Sequence, residues 1–476
     1  MSTPLYGGWR RVRSLGIAGL DGRQTGLLAL AVAAPLLLAL FQGMATALWL
    51  VPFSAVLAVA AALSIRGVWV VDLASAWLRF NAARMRGQTA YRAQMWAPYP
   101  RRWDLPGVLA PTRLLDLNDP GRGTVGIIWN QRGGLMSATY LLSPTGALLA
   151  DQGTVNYQVG AWGQTLAALA DDTAVSHAAV TIDLTPALGT HLPQHVAART
   201  DPSSPALARQ VMDEVVAAAP STTTRIRARL TLSVDPTKTS ARDVDSSVAE
   251  TLRSLGGLSL SAAGVDVLRR ASADDLAQIV RCAFDPAAEE VTDPTLWSRL
   301  DWPDVGPVAA QEEWSYYAHD GVFSATWCLV EAPRQYVTHD VLLPLLLPGP
   351  YSRRLTLLYR TLSREEAGTV LKREQDAATA RRIYHHKTGR DPSARDEADA
   401  ARAERAAAEE AQGAGLTEFS LFVTTTCSSY EELEEAKRHI AQAASQSRLR
   451  MRPCWGGQAA AFAVGLGVAG LYPPDL

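Results

Sequence analysis

The run S-A-T-Y-L-L-S-P, from Ser137 to Pro144, returns as S-A-T-W-C-L-V-E-A-P from Ser324 to Pro333. Each is an apolar, β-branched and aromatic stretch closed by proline, which reads as a strand followed by a turn. The segments downstream of the two runs also repeat in kind. A short helix is expected around Trp162 to Ala170 and around His339 to Leu347, then strands over Ala178 to Leu184 and Arg354 to Leu362. Longer helical segments come after these, Ser204 to Ala218 and Ser363 to about Gln412. Strands over Arg225 to Val234 and Glu418 to Thr426 come next. The first leads into a helix carrying Val244, Val248, Leu252 and Leu255, the second into one carrying Leu433, Ala436, Ile440 and Ala444. Apolar residues three and four apart make a core-facing stripe. Strands alternating with helices indicate mixed α/β layers. The expected fold is therefore α+β or mixed α/β, built as two related tandem halves over residues 105–318 and 319–476. The first half carries an added hairpin at Gly123 to Trp129.

Upstream of the repeat lie two charge-free apolar stretches, Thr25 to Phe41 and Met44 to Leu63, separated by Gln42 and Gly43. A bilayer core takes roughly 17–25 apolar residues of helix, and both stretches fit. Arg10, Arg11, Arg13 and Arg23 precede the pair; Arg66, Arg79, Arg84 and Arg86 come after it. The positive-inside rule keeps both flanks cytoplasmic. Residues 25–65 are thus expected to form a transmembrane hairpin in the plasma (inner) membrane, behind a cytoplasmic segment 1–24. A signal peptide would have an apolar core of about 7–15 residues and a cleavage site; here a second span comes at once. Pro35 and Pro52 lie within the spans, where neighbouring helices re-satisfy the freed carbonyls. Residues 66–104 read as a juxtamembrane helix, Val68 to Met85, and a linker. Trp69 and Trp77 beside Arg79, Arg84 and Arg86 suit the headgroup region, where rings and arginines meet lipid.

Composition excludes more than it assigns. The formal net charge is −2, which gives no general pull toward nucleic acid. Arg101 and Arg102 among Trp96, Tyr99 and Trp103 mix charge and aromatics as single-strand binders do. Interfacial anchoring explains the same residues, so direct nucleic-acid binding is not expected. Only Lys238, Lys372, Lys387 and Lys437 are lysines among 45 basic residues, which with the alanine richness points to a GC-rich bacterial genome. Cys282, Cys328, Cys427 and Cys454 are scattered without CxxC spacing and read as reduced thiols. Arg132-Gly133-Gly134 and Gly456-Gly457-Gln458 lack the lysine of a phosphate loop. His191 and His195 are interrupted by Pro193, no H-E-x-x-H occurs, and His385 and His386 lie in a charged stretch. No catalytic, cofactor or metal residue is assigned, and the chain reads as non-enzymatic. The stretch 364–412 is dense in Glu, Arg, Asp and Ala, as in a solvated helical hairpin turned near Gly389 to Pro392.

One segment carries a family resemblance. F-S-L-F-V-T-T-T at Phe419 to Thr426 and E-E-L-E-E-A at Glu431 to Ala436 are followed by G-G-Q-A-A-A-F-A-V-G-L-G from Gly456 to Gly467. This resembles the end of the N-terminal domain of TraC/TrbE-type ATPases of conjugation and type IV secretion, with Gly456, Gly457, Gln458 and Phe462 as the matching positions. The hairpin ahead of it resembles the small TrbD-type membrane subunit, and the whole is similar to actinobacterial integral membrane proteins of conjugation-like clusters. The phosphate loop that comes after this domain in the ATPases does not come after it here. The resemblance thus implies a structural subunit that anchors or recruits a separate secretion ATPase, alongside polytopic membrane subunits and as a possible homo-oligomer. Two other readings of the same layout are a type VII component resembling EccE and a membrane-bound enzyme.

Overall fold

The computed structural model describes residues 22–65, 68–93, 104–146, 150–188, 203–218, 222–290, 294–333, 335–388 and 416–473, with a few positions within 6–9, 196–201 and 397–408. Two apolar helices open it, α1 (Gly22–Gln42) and α2 (Met44–Ala62), packed against each other with only Gly43 between them. Gly43 has φ +94°, a conformation that favours glycine. By length and composition α1 suffices to cross a membrane; the apolar stretch recorded in α2, Leu48–Ala62, is shorter. Most of their large side chains are exposed, with Trp49 87% so. A two-residue ladder of β1 (Ser64–Ile65) and β2 (Val68–Trp69) turns the chain into α3 (Val70–Met85).

The rest is organised on one antiparallel sheet. Its strands are β3 (Ala90–Arg92), β4 (Thr112–Asp119), β5 (Gly123–Asn130), β6 (Leu135–Pro144), β7 (Val175–Leu188), β8 (Thr222–Val234), β9 (Val265–Arg270) and β10 (Ala309–Glu312), then β11 (Tyr317–His319), β12 (Val322–Glu331), β13 (Ser352–Thr361), β14 (Thr417–Cys427) and β15 (Arg450–Pro453). The order is β3-β10-β11-β12-β14-β13-β7-β8-β6-β5-β4, with β9 beside β6 and β15 beside β12. The helices between strands are α4 (Gln152–Asp171), α5 (Ala206–Ala218), α6 (Val244–Gly256), α7 (Ala273–Phe284), α8 (Leu343–Leu346), α9 (Arg364–Thr388), α10 (Tyr430–Gln446) and α11 (Gln458–Gly465).

Strand–helix alternation in sequence suggests parallel neighbours, yet among the described residues every pairing is antiparallel. The reason is insertion: β6 and β7, joined through α4, are held apart by β8. The chain order β6-α4-β7-α5-β8-α6-β9 gives the spatial order β9-β6-β8-β7, the split β-α-β strand order of ferredoxin-like folds with α5 added between its second and third strands. The order β15-β12-β14-β13 arises likewise from β12-α8-β13-α9-β14-α10-β15. β7 and β13 pair edge to edge with Thr181 opposite Thr356. The stretch expected as a hairpin at Gly123 to Trp129 is the single strand β5, paired with both β4 and β6. β3, from the juxtamembrane segment, is an edge strand on β10, and the 318/319 division falls within β11.

Local chemistry explains the differences in element length. α4 starts ten residues before the expected helix because the Asp151 side chain accepts from the Thr154 amide and caps it. The helix expected at His339 to Leu347 shrinks to α8, since Pro344, Pro348 and Pro350 cannot continue a ladder. On one face of the sheet α4 and α6 cover Ala138, Tyr140, Leu230 and Leu232, while α10 lays Leu433, Ala436, Ile440 and Ala443 on Ala325, Leu355 and Val423. Burying a Leu or Ile side chain fully contributes about 1.5–3 kcal/mol. The other face is covered by α7 and the chain from α11 onward. α9 buries Ala367 and Leu371 at its base; the turn expected at 389–392 lies outside the described residues.

Candidate functional site

The face beneath α11 is polar where a core is usually apolar. Hydroxyl pairs cross it strand to strand: Ser137 with Ser233 at 3.0 Å, Thr139 with Thr231 at 2.9 Å, and Thr181 with Thr356 at 3.2 Å. Thr326 pairs with Thr424 at 3.0 Å and Ser324 with Thr426 at 2.7 Å. Over this ladder runs a strap, residues 454–472, and the polarity serves its backbone. The Thr356 hydroxyl donates to the Gly465 carbonyl at 2.6 Å, and Arg229 donates to the Leu466 carbonyl at 2.8 Å. At the other end of α11 the Glu312 carboxylate accepts from the Ala459 amide at 3.0 Å. This short helix has no side-chain cap of its own at Gly457, where it starts. Side chains from the sheet satisfy both of its ends, which otherwise leave unpaired backbone groups.

Three glycines let the strap come so close. Gly465, Gly467 and Gly470 have the spacing G-x-G-x-x-G, which elsewhere marks a dinucleotide loop between strand and helix. Here the pattern succeeds a helix and presses on hydroxyls. A Cβ on Gly467 would collide with Thr181 Oγ1, and one on Gly470 would lie 2.7 Å from Ser137 Oγ. Gly467 and Gly470 also have positive φ. The spacing was legible in the sequence, but the surface it meets was not.

The positions singled out by resemblance fall at the head of this strap. Gln458 is fully buried; its Oε1 accepts from the Thr326 amide at 2.8 Å and its Nε2 donates to the Thr326 carbonyl at 3.3 Å. Phe462 sits among Phe284, Tyr317 and His319, with the Arg354 guanidinium 5.9 Å from its ring centre. Gly456 has φ +66°, and a Cβ there would lie 2.5 Å from Trp314. Its amide donates to the Trp314 carbonyl. Gly457 is the residue before α11.

Trp314 also receives α3. Phe80 of α3 meets its ring edge-on at 5.5 Å, and Arg84 pairs with Glu313 at 3.1 Å. Trp69 turns back, its Nε1 donating to the Ala60 carbonyl at the end of α2. Trp77 is 53% exposed, and Arg79 bonds the Ser75 carbonyl within α3. Arg10, Arg11, Arg13 and Arg66 lie outside the described residues, as do His191, His195 and the Trp96–Trp103 stretch. Of the arginines expected to set the topology, Arg79 and Arg84 are among the described residues, and Arg84 is brought to the segment that meets the strap.

Beside this seam is a cavity of about 180 Å³ lined by Ser315, Trp327, Lys437, Pro453, Trp455 and Gln458. An apolar cavity of about 150 Å³ holds a benzene ring, so this space suits one ring-bearing side chain. Lys437 pairs with Glu434 at 2.7 Å and lies 5.8 Å over both Tyr316 and Tyr430.

Two polar centres lie deeper. Asp183 bridges Arg229 and Arg354, the latter through Nε at 2.6 Å. Burial alone would raise its pKa, but the two guanidinium groups outweigh this and hold it down to about 2. His319 donates from Nδ1 to the Phe284 carbonyl at 2.7 Å, and its Nε2 accepts from Ser324 Oγ at 2.8 Å. That contact has the spacing of a base and a nucleophile, yet both residues are buried behind Phe284, Phe462 and Tyr317. Burial pushes His319 down to about 4. Among the described residues no group of three or more His, Cys, Asp or Glu is placed to hold a metal ion.

No family model and no curated protein matches the sequence.

Proposed function

We propose that this chain is a non-catalytic structural subunit of a conjugation-type secretion machine, fixing a separate TraC/TrbE-type ATPase at the inner membrane. The observation that carries the reading is the seam at Trp314. There the helix leaving the membrane-proximal segment, through Phe80 and Arg84, meets the head of the strap, through Gly456. A rigid link between anchor and domain is what a docking subunit needs. In this reading α1 and α2 both span the bilayer as a hairpin, with both flanks and the sheet domain cytoplasmic. Their mutual packing, the glycine turn and the exposed apolar side chains support it. α3 then lies at the headgroup level, where the exposed Trp77, Leu78 and Met85 favour lipid and Arg79 and Arg86 meet phosphate.

The two split β-α-β units are read as a tandem pair about an axis between Thr181 and Thr356. The matching orders β9-β6-β8-β7 and β15-β12-β14-β13 and the shared S-A-T-aromatic run support this. The 180 Å³ cavity is the contact for one aromatic or proline side chain of the ATPase.

The test is purification of the tagged full chain from native membranes in mild detergent, with mass spectrometry of what accompanies it. A TraC/TrbE-type ATPase is expected, with recovery reduced about tenfold or more for Trp455→Ala, as for a hot-spot residue. Type VII components in its place, or neither set from membranes shown to contain them, would overturn the reading.

A further inference from the structure

Two cysteines far apart in sequence meet where the strap leaves the sheet. In the β12–β15 ladder Cys328 lies opposite Arg452, and the Cys454 amide goes on to donate to the Thr326 carbonyl at 3.0 Å. Thr326 and Cys328 share a face of β12, so Cys454, two residues beyond Arg452, is the diagonal neighbour of Cys328. Diagonal neighbours on one face of an antiparallel pair are about 7–8 Å apart along the backbone and closer at Cβ, and here the two side chains close the gap, the Cys454 thiol hydrogen-bonding the Cys328 sulfur. Arg452 Nε donates to Cys328 Sγ at 3.3 Å, placing a permanent positive charge on that sulfur. Cys328 is buried and Cys454 partly exposed. We propose that Cys328 and Cys454 are an oxidant-reactive thiol pair that closes to a disulfide on encounter with a hydroperoxide, stapling the strap to β12. The inference does not rest on the secretion reading.

The chemistry balances with the hydroperoxide as the only co-reactant. Cys328, its thiol proton given up to solvent, attacks as thiolate the hydroxyl oxygen of the hydroperoxide; the O–O bond breaks, Cys328 becomes a sulfenic acid, and the departing alkoxide takes a proton back from solvent. The Cys454 sulfur then attacks the Cys328 sulfur, forming the S–S bond and breaking the S–O bond, and the departing hydroxide takes the Cys454 proton to leave as water. Two thiols are oxidised by two electrons in all, and the hydroperoxide is reduced to an alcohol, or to water when it is hydrogen peroxide. Polarity favours Cys328 as the attacker. The Cys454 thiol hydrogen-bonds its sulfur and Arg452 stands beside it, which lowers its pKa and raises that of Cys454. Reactivity follows the thiolate fraction. The other two cysteines are poor competitors: burial pushes Cys282 up to about 12 and Cys427 up to about 11.

The full chain in detergent, treated with limiting hydrogen peroxide, denatured, alkylated and digested, is expected to yield a dithiothreitol-reversible peptide joining Cys328 to Cys454, with Cys282 and Cys427 alkylated. Cys454→Ser is expected to stop at a dimedone-reactive Cys328. Arg452→Met is expected to slow oxidation about tenfold, with thermal melts checking that both variants are folded. Alkylated Cys328 and Cys454 recovered at the same rate as Cys282, or a dimedone adduct equally abundant with Cys454 present, would overturn the proposal.

Discussion

Asp183 concentrates the electrostatics of the interior, because it is the acid shared by Arg229 and Arg354. Replacing it by Asn leaves the buried Arg229 guanidinium and the partly buried one of Arg354 without a counter-charge. Breaking such a buried pair costs about 3–5 kcal/mol, so Asp183→Asn should lower the urea midpoint accordingly, and an unchanged midpoint would refute the pairing. The histidines set a different dependence. Burial pushes His177 as well as His319 down to about 4. Between that value and the usual 6.5 the unfolded chain binds protons that the folded chain does not, so stability falls as pH drops. Each contributes on the order of 3 kcal/mol to the loss. The melting temperature should therefore decline from about pH 6.5 to about pH 4, and His319→Gln should flatten part of that slope. Asp183 acts below this window: its folded value of about 2 lies under the ordinary one, so its contribution, about 2 kcal/mol, is lost between roughly pH 4 and pH 2.

Among elements, the strap shows how function-like spacing arises from packing. Gly467 combines φ +69° with close backbone approach to Thr181. Gly467→Ala should cost about 1–3 kcal/mol from overpacking and left-handed strain, measured by chemical denaturation. Thr181→Ala in the same chain should recover the overpacking part, because the hydroxyl is the colliding group; no recovery would place the cost elsewhere. The strands that carry the two S-A-T runs were readable from their apolar, β-branched and aromatic residues closed by proline, and their observed limits differ by two residues. β9, β15 and α7 were not read, although the Ser272–Asp275 capping box before an apolar stripe was a usable signal for α7. The Asp320-Gly321 turn joining β11 to β12 was likewise a visible hairpin signal, with both residues at positive φ.

At the scale of the molecule, the seam at Trp314 ties the apolar N-terminal helices to a sheet that buries its own C-terminal chain. Trp314→Ala should loosen α3 without unfolding the sheet, so limited proteolysis should cut between residues 86 and 104 at least several-fold faster while the melting temperature of the domain changes little. Equal cleavage rates would mean that Phe80 and Arg84 do not hold the seam. The sequence by itself determined the apolar helices, the alternation of strands and helices, and the stripes of α6 and α10, save Val244, which is exposed at the start of α6, because each is written in the spacing of nearby residues. Tertiary structure alone decided that the strands pair antiparallel by insertion, that two β-α-β units join along β7 and β13, and that Glu312, Thr356 and Arg229 cap α11. Those outcomes depend on contacts between residues far apart in the chain, 96 positions for Ser137 and Ser233 and 237 for Arg229 and Leu466, and no local period records which distant backbone group a side chain must satisfy.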